Sequence, residues 1–258
     1  VVIPRPANPR KDLFFGYYGC VRPQPSETAD HVNLFWESFW PPDVQQSIEN
    51  VLYMARDSVL DVSQFMFIRQ PGSSRAVLSS NAERQLRDMF TMFQRAGALK
   101  YIKYLYPQDE PAWTLVSESI HRQGIDLLKR VSAEFPDLAG VKYVCIYHCE
   151  SGIPVTWNID QFDVVGYDDY AKGAETLVNG QYDSLLSKLQ PGQQTLIVPG
   201  GSYLQDPEPF LAFAEGHPEV SMVIAFKWFE EDNSPGIRDN GMAEAYRNTG
   251  RIICSGEW

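Results

Sequence analysis

Residues 104–111 read YLYPQDEP, and within them Asp109 and Glu110 place two carboxylates side by side where an apolar strand pattern stops and a helical pattern begins. Inside a strand, neighbouring side chains point to opposite faces; past its end the chain turns, and both carboxylates reach one cavity. Such a pair can donate a proton and stabilise a cation. Pro111 biases Glu110 toward extended backbone and ends the strand. The same residues also read as the acidic start of a helix, with Pro111 in its first turn.

Other chemistry-bearing residues are sparse. Cys20, Cys145, Cys149 and Cys254 form no CxxC pair and are too few for a disulfide scaffold; Cys145 and Cys149, too far apart along one strand to bridge each other, read as small buried hydrophobes. His148 has no His or Cys partner at metal spacing, so no zinc site and no cofactor are expected.

The elements that must position Asp109 and Glu110 follow from periodicity. Eight apolar or β-branched runs recur: 13–20, 32–40, 64–69, 101–106, 142–149, 162–167, 195–199 and 222–228. Between the third and fourth, Leu86, Met89, Phe90 and Phe93 stand at i, i+3, i+4 and i+7, which predicts a helix over 83–97. Further helical patterns cover 44–56, 120–135, 182–189, 209–215 and 242–248. Alternating strand and helix predicts parallel βα units, and eight of them predict an α/β fold, the closed (β/α)8 TIM barrel, spanning 1–258 as a single domain. The connections 21–31 and 150–161 are too short for a full crossover helix, so the first and fifth units are expected to be degenerate. The rival, a doubly wound open sheet, calls for a glycine-rich phosphate turn after the first strand, and GYYGC is not one.

In such a barrel the strand C-terminal ends line one mouth. The expected rim is aromatic and acidic. Tyr17 and Tyr18 come from the first strand, Trp36, Glu37 and Trp40 from the second, Arg69 and Gln70 from the third, and Asp109, Glu110 and Trp113 from the fourth. Tyr147, His148 and Glu150 follow from the fifth, Tyr167, Asp168, Asp169 and Tyr170 from the sixth, Tyr203 from the seventh, and Lys227, Trp228, Glu230 and Glu231 from the eighth. Trp157 is either a sugar platform or a packed loop anchor. Gly200-Gly201 predicts a tight turn at positive φ or room for substrate. Aromatic faces suit the apolar faces of sugar rings, and carboxylates suit hydroxyls and proton transfer.

A glycosidic bond needs a proton donor and a second group that meets the oxocarbenium-like centre. Glu110 is the candidate donor, its pKa raised by Asp109 and by aromatic walls. The seventh strand ends in VPGGSY and brings no glutamate to serve as nucleophile.

YLYPQDEP resembles the Asp-Glu-Pro signature of glycoside hydrolase family 123 and, less closely, the Asp-Glu pair of family 20 hexosaminidases. That resemblance implies a polysaccharide-degrading hydrolase acting on N-acetylhexosamines by substrate assistance, with Glu110 as acid/base and Asp109 as acetamide partner. The chain also resembles polygalactosaminidase-like barrels, which would add Glu150. Competing readings are a sugar-binding barrel without turnover, and a hard-cation hydrolase or lyase built on Asp109, Glu110, His148 and Asp168.

A net charge of −11 without a basic run argues against nucleic acid and anionic membrane as partners, leaving a carbohydrate substrate. No apolar stretch approaches a membrane span. A first residue Val1 reads as a processed or trimmed chain, and a secreted or periplasmic setting is expected.

Overall fold

Short, alternately facing strands decide the architecture. The computed structural model describes residues 12–18, 25–38, 43–70, 72–73, 75–111, 114–150, 153–154, 157–170, 173–230 and 235–256. Its main strands are β1 (Phe14–Tyr18), β2 (Phe35–Glu37), β3 (Ser58–Asp61), β4 (Ile102–Tyr106), β5 (Lys142–Glu150), β6 (Val164–Asp168), β7 (Gln194–Ile197) and β8 (Val220–Phe226). All pair in parallel, in the spatial order β1-β8-β7-β6-β5-β4-β3-β2. Between β1 and β2 the Phe15 carbonyl accepts from the Asn33 and Leu34 N–H groups at 3.1 Å each, which nearly closes the sheet into a (β/α)8 barrel.

Parity then sorts the side chains. Tyr18, Leu34, Trp36, Val59, Tyr104, Tyr106, Val144, Ile146, Val164, Leu196, Val198, Met222 and Ile224 pack together inside the barrel. Their neighbours of opposite parity, such as Phe15, Phe35, Leu60, Leu105, Cys145, Val165, Ile197 and Val223, join the larger core under the helices. Each fully buried aliphatic or phenyl side chain contributes about 1.5–3 kcal/mol.

The outer layer contains α1 (Val44–Met54), α2 (Ala82–Arg95), α3 (Glu118–Ser132), α4 (Tyr182–Leu186), α5 (Glu208–Gly216) and α6 (Ala243–Ser255). Asp43 caps α1 by accepting from the Gln46 N–H at 3.0 Å. Leu86, Met89, Phe90 and Phe93 form the buried stripe of α2, which ends just before Gly97 at φ +72°. Among the described residues, the first unit has only the four-residue helix Pro25–Thr28. The fifth has the short strand Ile153–Pro154 and the turn Ile159–Gln161.

The third strand falls elsewhere than the sequence predicts. Residues 64–69 split between the helix Ser63–Met66 and the strand Phe67–Arg69, which pairs antiparallel with Ala76–Leu78 as a hairpin outside the barrel. Ser58–Asp61 takes the barrel position instead. Four residues carry too little periodicity to be told from a loop, and the richer apolar run nearby took the assignment.

Packing of α6 on β1 turns on one glycine. A Cβ on Gly250 would stand 2.1 Å from the His31 carbonyl oxygen and 2.8 Å from the Phe15 ring. Alanine in a helix gains about 1 kcal/mol over glycine, but overpacking costs about 1–3 kcal/mol, and backbone yields less readily than a side chain. Gly250→Ala is therefore expected to lower unfolding stability by about 2 kcal/mol, measured as a fall in the urea midpoint at unchanged slope.

Candidate functional site

Beyond Tyr106 the chain leaves β4 through Pro107 and Gln108, then returns to the sheet for one residue, where Asp109 bridges Ile146 of β5. That return points Asp109 to the barrel's inner side. Gln108 Nε2 donates to the Asp109 carbonyl and to Thr114 Oγ1, both at 2.9 Å. Thr114 Oγ1 in turn lies 3.0 Å from the Asp109 and the Glu110 carbonyl oxygens. Glu110 holds φ +36°, in the left-handed region, and its carbonyl accepts from the Thr114 N–H at 2.9 Å. The expectation of extended backbone before Pro111 is thus corrected: the turn hydrogen bonds outweigh the local preference. A non-glycine residue held there costs on the order of 1–3 kcal/mol and is a feature of functional sites.

Tyr18 at the end of β1 and Tyr106 at the end of β4 both donate their hydroxyls to Asp109 Oδ1, the latter at 2.7 Å. Burial raises the Asp109 carboxyl above its ordinary range, and these two donors pull against that rise. Burial, and then the Asp109 charge, also push both phenols upward, so both remain protonated donors.

Asp168, last residue of β6, faces inward beside Glu110, and burial, then the Glu110 charge, raise its carboxyl well above the carboxylate range. Tyr170 donates to its Oδ2 at 2.6 Å. Glu110 is pushed up to about 7, chiefly by burial, with the neighbouring Asp168 carboxyl opposing and the Asp109 charge adding.

Aromatic rings pave the rest of the mouth. Trp36 and Tyr106 lie 4.9 Å apart, Trp36 and Tyr18 5.2 Å, and Tyr18 and Phe226 5.7 Å. Phe226 stacks on Tyr170 at 4.7 Å and Tyr170 on Tyr203 at 4.9 Å, with interplanar angles of 15° and 6°. Gly200 makes room for this stack, since a Cβ there would meet the Tyr170 ring at 2.7 Å. Gly200 itself lies at φ −80°, so space and not positive φ explains the glycine.

Of the residues expected at the rim, Tyr18, Trp36, Asp109, Glu110, Asp168 and Tyr170 come together, with Tyr203 stacked on Tyr170 at their edge. Tyr17, Tyr147 and Tyr167 do not, because their parity turns them outward. Tyr17 packs on His31 and Trp228, Tyr147 on His121 and Phe162, and Tyr167 on Tyr182. Glu37 also points outward, accepting from Ser47 Oγ at 2.6 Å and Asn50 Nδ2 at 3.3 Å. Trp228 is fully buried beyond β8, its Nε1 donating to Glu27 at 3.4 Å. Glu230 is exposed past β8. Arg69 and Gln70 go with the outer hairpin. Trp40, Trp113 and Glu231, and the side chains of His148 and Glu150, lie outside the described residues. Among the described residues no group of three or more His, Cys, Asp or Glu side chains is arranged to hold a metal ion.

Sequence reasoning missed Asp61, Tyr106 and Phe226. Asp61 ends β3 on the inner side, in register with Tyr106. Its Oδ1 accepts from the Ser63 N–H at 2.9 Å, and its carboxyl is pushed up to about 7, chiefly by burial and in part by the Asp109 charge. The signal for Asp61 was its place two residues after Val59, visible only once β3 is located correctly.

No family model and no curated protein matches the chain. Solved structures do. ScGas2 in complex with compound 8 aligns over 90% of this chain and 58% of its own at a TM-score of 0.60 and 12% identity. Bacteroides uniformis beta-glucuronidase aligns over 88% of this chain and 31% of its own at 0.52 and 14%. The chain thus spans less than two thirds of the length of either neighbour, and at these identities the likeness is one of fold: a (β/α)8 barrel.

Proposed function

We propose that the protein is a glycoside hydrolase that cleaves N-acetylhexosamine-containing glycans by substrate assistance. The observation that carries this reading is the group Asp109, Glu110 and Asp168 at the barrel mouth, with Tyr18 and Tyr106 donating to Asp109 and Tyr170 to Asp168. A Glu110 carboxyl pushed up to about 7 is matched to general acid and base work near neutral pH. Glu110 gives its proton to the glycosidic oxygen as that bond breaks. The acetamido oxygen of the same sugar attacks the anomeric carbon, forming a cyclic oxazolinium ion. Asp109 accepts a hydrogen bond from the acetamido N–H and stabilises the positive charge. Water then opens the ring at the anomeric carbon, giving a proton back to Glu110.

One feature favours substrate assistance over a two-carboxylate mechanism. On β7, Val198, Pro199 and Gly200 bring no carboxylate to the strand's tip. The fold hosts many chemistries, so the reading rests on this site and not on the neighbours.

A panel of aryl N-acetylhexosaminides and the matching plain hexosides tests it. We expect kcat/KM on the N-acetyl series to exceed that on the hexosides by about 100-fold or more, in line with the loss of a group acting in the transition state. Equal turnover of both series would remove the acetamide from the mechanism. Sugar binding without turnover would instead make this a carbohydrate-binding barrel.

A further inference from the structure

Two surfaces that the carboxyl cluster does not use flank it along the rim. On one side Tyr203, which follows β7, is 52% exposed yet held flat against Tyr170, and Tyr170 holds Asp168. Its ring extends the paving of Phe226 and Tyr170 outward into solvent. An exposed aromatic ring is ordinary; one fixed nearly parallel to two others, and joined through Tyr170 to a carboxyl of the site, is a preformed flat platform. On the other side lies a cleft of about 510 Å³ lined by Gln70, Arg75, Leu115, Ile120 and Trp157 among others. Its walls come from the segments after β3, β4 and β5, all on the C-terminal side of the barrel. Leu115, 48% exposed, is the neighbour of Thr114, whose hydroxyl touches the Asp109 and Glu110 carbonyls. The cleft thus begins one residue from the turn that aims the carboxyls. Its volume falls within the range of ligand sites, and its mixture of an indole, apolar side chains, an amide and a guanidinium suits the apolar faces and hydroxyl edges of sugar rings.

We infer that the mouth takes a polymeric glycan lengthwise, with units stacked on Tyr203 on one side of the carboxyls and units seated in the Trp157 cleft on the other, so that cleavage falls within the chain. A substrate of one or two sugars needs neither surface. In order around the barrel, β6 with Asp168 stands between the segments that wall the cleft and β7, which Tyr203 follows, while Asp109 and Glu110 follow β4, the middle of the cleft's three strands. This inference rests on reading the mouth as a glycan site and adds the length and the placement of the ligand.

Calorimetric titration of N-acetylglucosamine oligomers of one, two, four and six units into the full chain carrying Glu110→Gln separates the two claims, because binding is read without turnover. We expect Kd to fall about 100-fold between the dimer and the hexamer. Tyr203→Ala on one side, and Trp157→Ala or the exposed Arg75→Ala on the other, should each weaken hexamer binding about tenfold while changing the dimer far less. The unsubstituted chain should cut the hexamer at internal bonds. Affinity independent of length, binding of no oligomer, or a hexamer Kd unmoved by all three substitutions overturns the inference. Length-dependent binding with no hydrolysis leaves it standing and rejects the hydrolase reading. Hydrolysis of aryl N-acetylhexosaminides with length-independent binding does the reverse.

Discussion

Replacing Glu110 by glutamine is expected to lower kcat on N-acetylhexosaminides by about 10²- to 10⁴-fold, the range that general acid–base catalysis supplies. The amide keeps the size of the carboxyl, so the loss reports proton transfer and not the shape of the mouth. A pH profile makes the test sharper. Glu110 must hold its proton to act as the acid, and burial has pushed that carboxyl up to about 7. For the unsubstituted protein kcat/KM therefore falls as pH rises through about 7. On the acidic side the rate falls where Asp109 gains a proton and can no longer stabilise the oxazolinium charge. In Glu110→Gln the alkaline limb should vanish, since the residue that titrated there is gone. A variant that kept activity within threefold, or one that kept the same alkaline limb at a lower rate, would take Glu110 out of the acid role.

The second large effect is on stability and lies away from the mouth. Glu37→Gln is expected to stabilise the fold above pH 8 by on the order of 3 kcal/mol and to change it by less than about 1 kcal/mol at pH 4. Glu37 is 2% exposed behind β2, with Ser47 and Asn50 as its hydrogen-bond donors among the described residues, and burial pushes its carboxyl up from 4.5 to about 8. The sign follows from linkage. Between the unfolded value near 4.5 and the folded value near 8, the native state holds a proton that the unfolded chain has lost. Its stability is therefore greatest below pH 4.5 and declines as pH rises toward 8, by about 1.4 kcal/mol per pH unit per proton. Asp61, Glu110 and Asp168 are raised too and add to the same decline. Glutamine carries no proton to lose, so its variant should show a shallower decline. Urea midpoints at pH 4, 6 and 8.5 measure both slopes. Parallel slopes for the two proteins would mean that Glu37 ionises normally, whatever its burial.

Much of the architecture was legible because buried parallel strands and amphipathic helices write their periods directly into the residue order. The α2 stripe and the shortened first and fifth units follow from spacing alone. What misled was parity at strand tips. Tyr17 and Tyr18, or Tyr167 and Asp168, are neighbours in sequence, and composition gives no preference for which of each pair turns inward. A single reference residue would settle it: Gly16 and Gly166 face the crowded interior, where a Cβ would strike Leu34 or Leu196, and counting two residues on from each reaches Tyr18 and Asp168. For β3 the error was one of location, and it hid Asp61. Backbone conformation at Glu110 was beyond a local rule, because the bonds that hold it come from Thr114 and from the return to β5.

That left-handed Glu110 has a meaning for how this chain balances folding against chemistry. Glycine or asparagine would occupy the same backbone angles at lower cost, so a sequence optimised for folding alone would carry one of them at position 110. Glutamate there gives up stability to aim a carboxyl at Asp168, and a chain made more robust by relaxing this turn would become a sturdier barrel with an empty mouth.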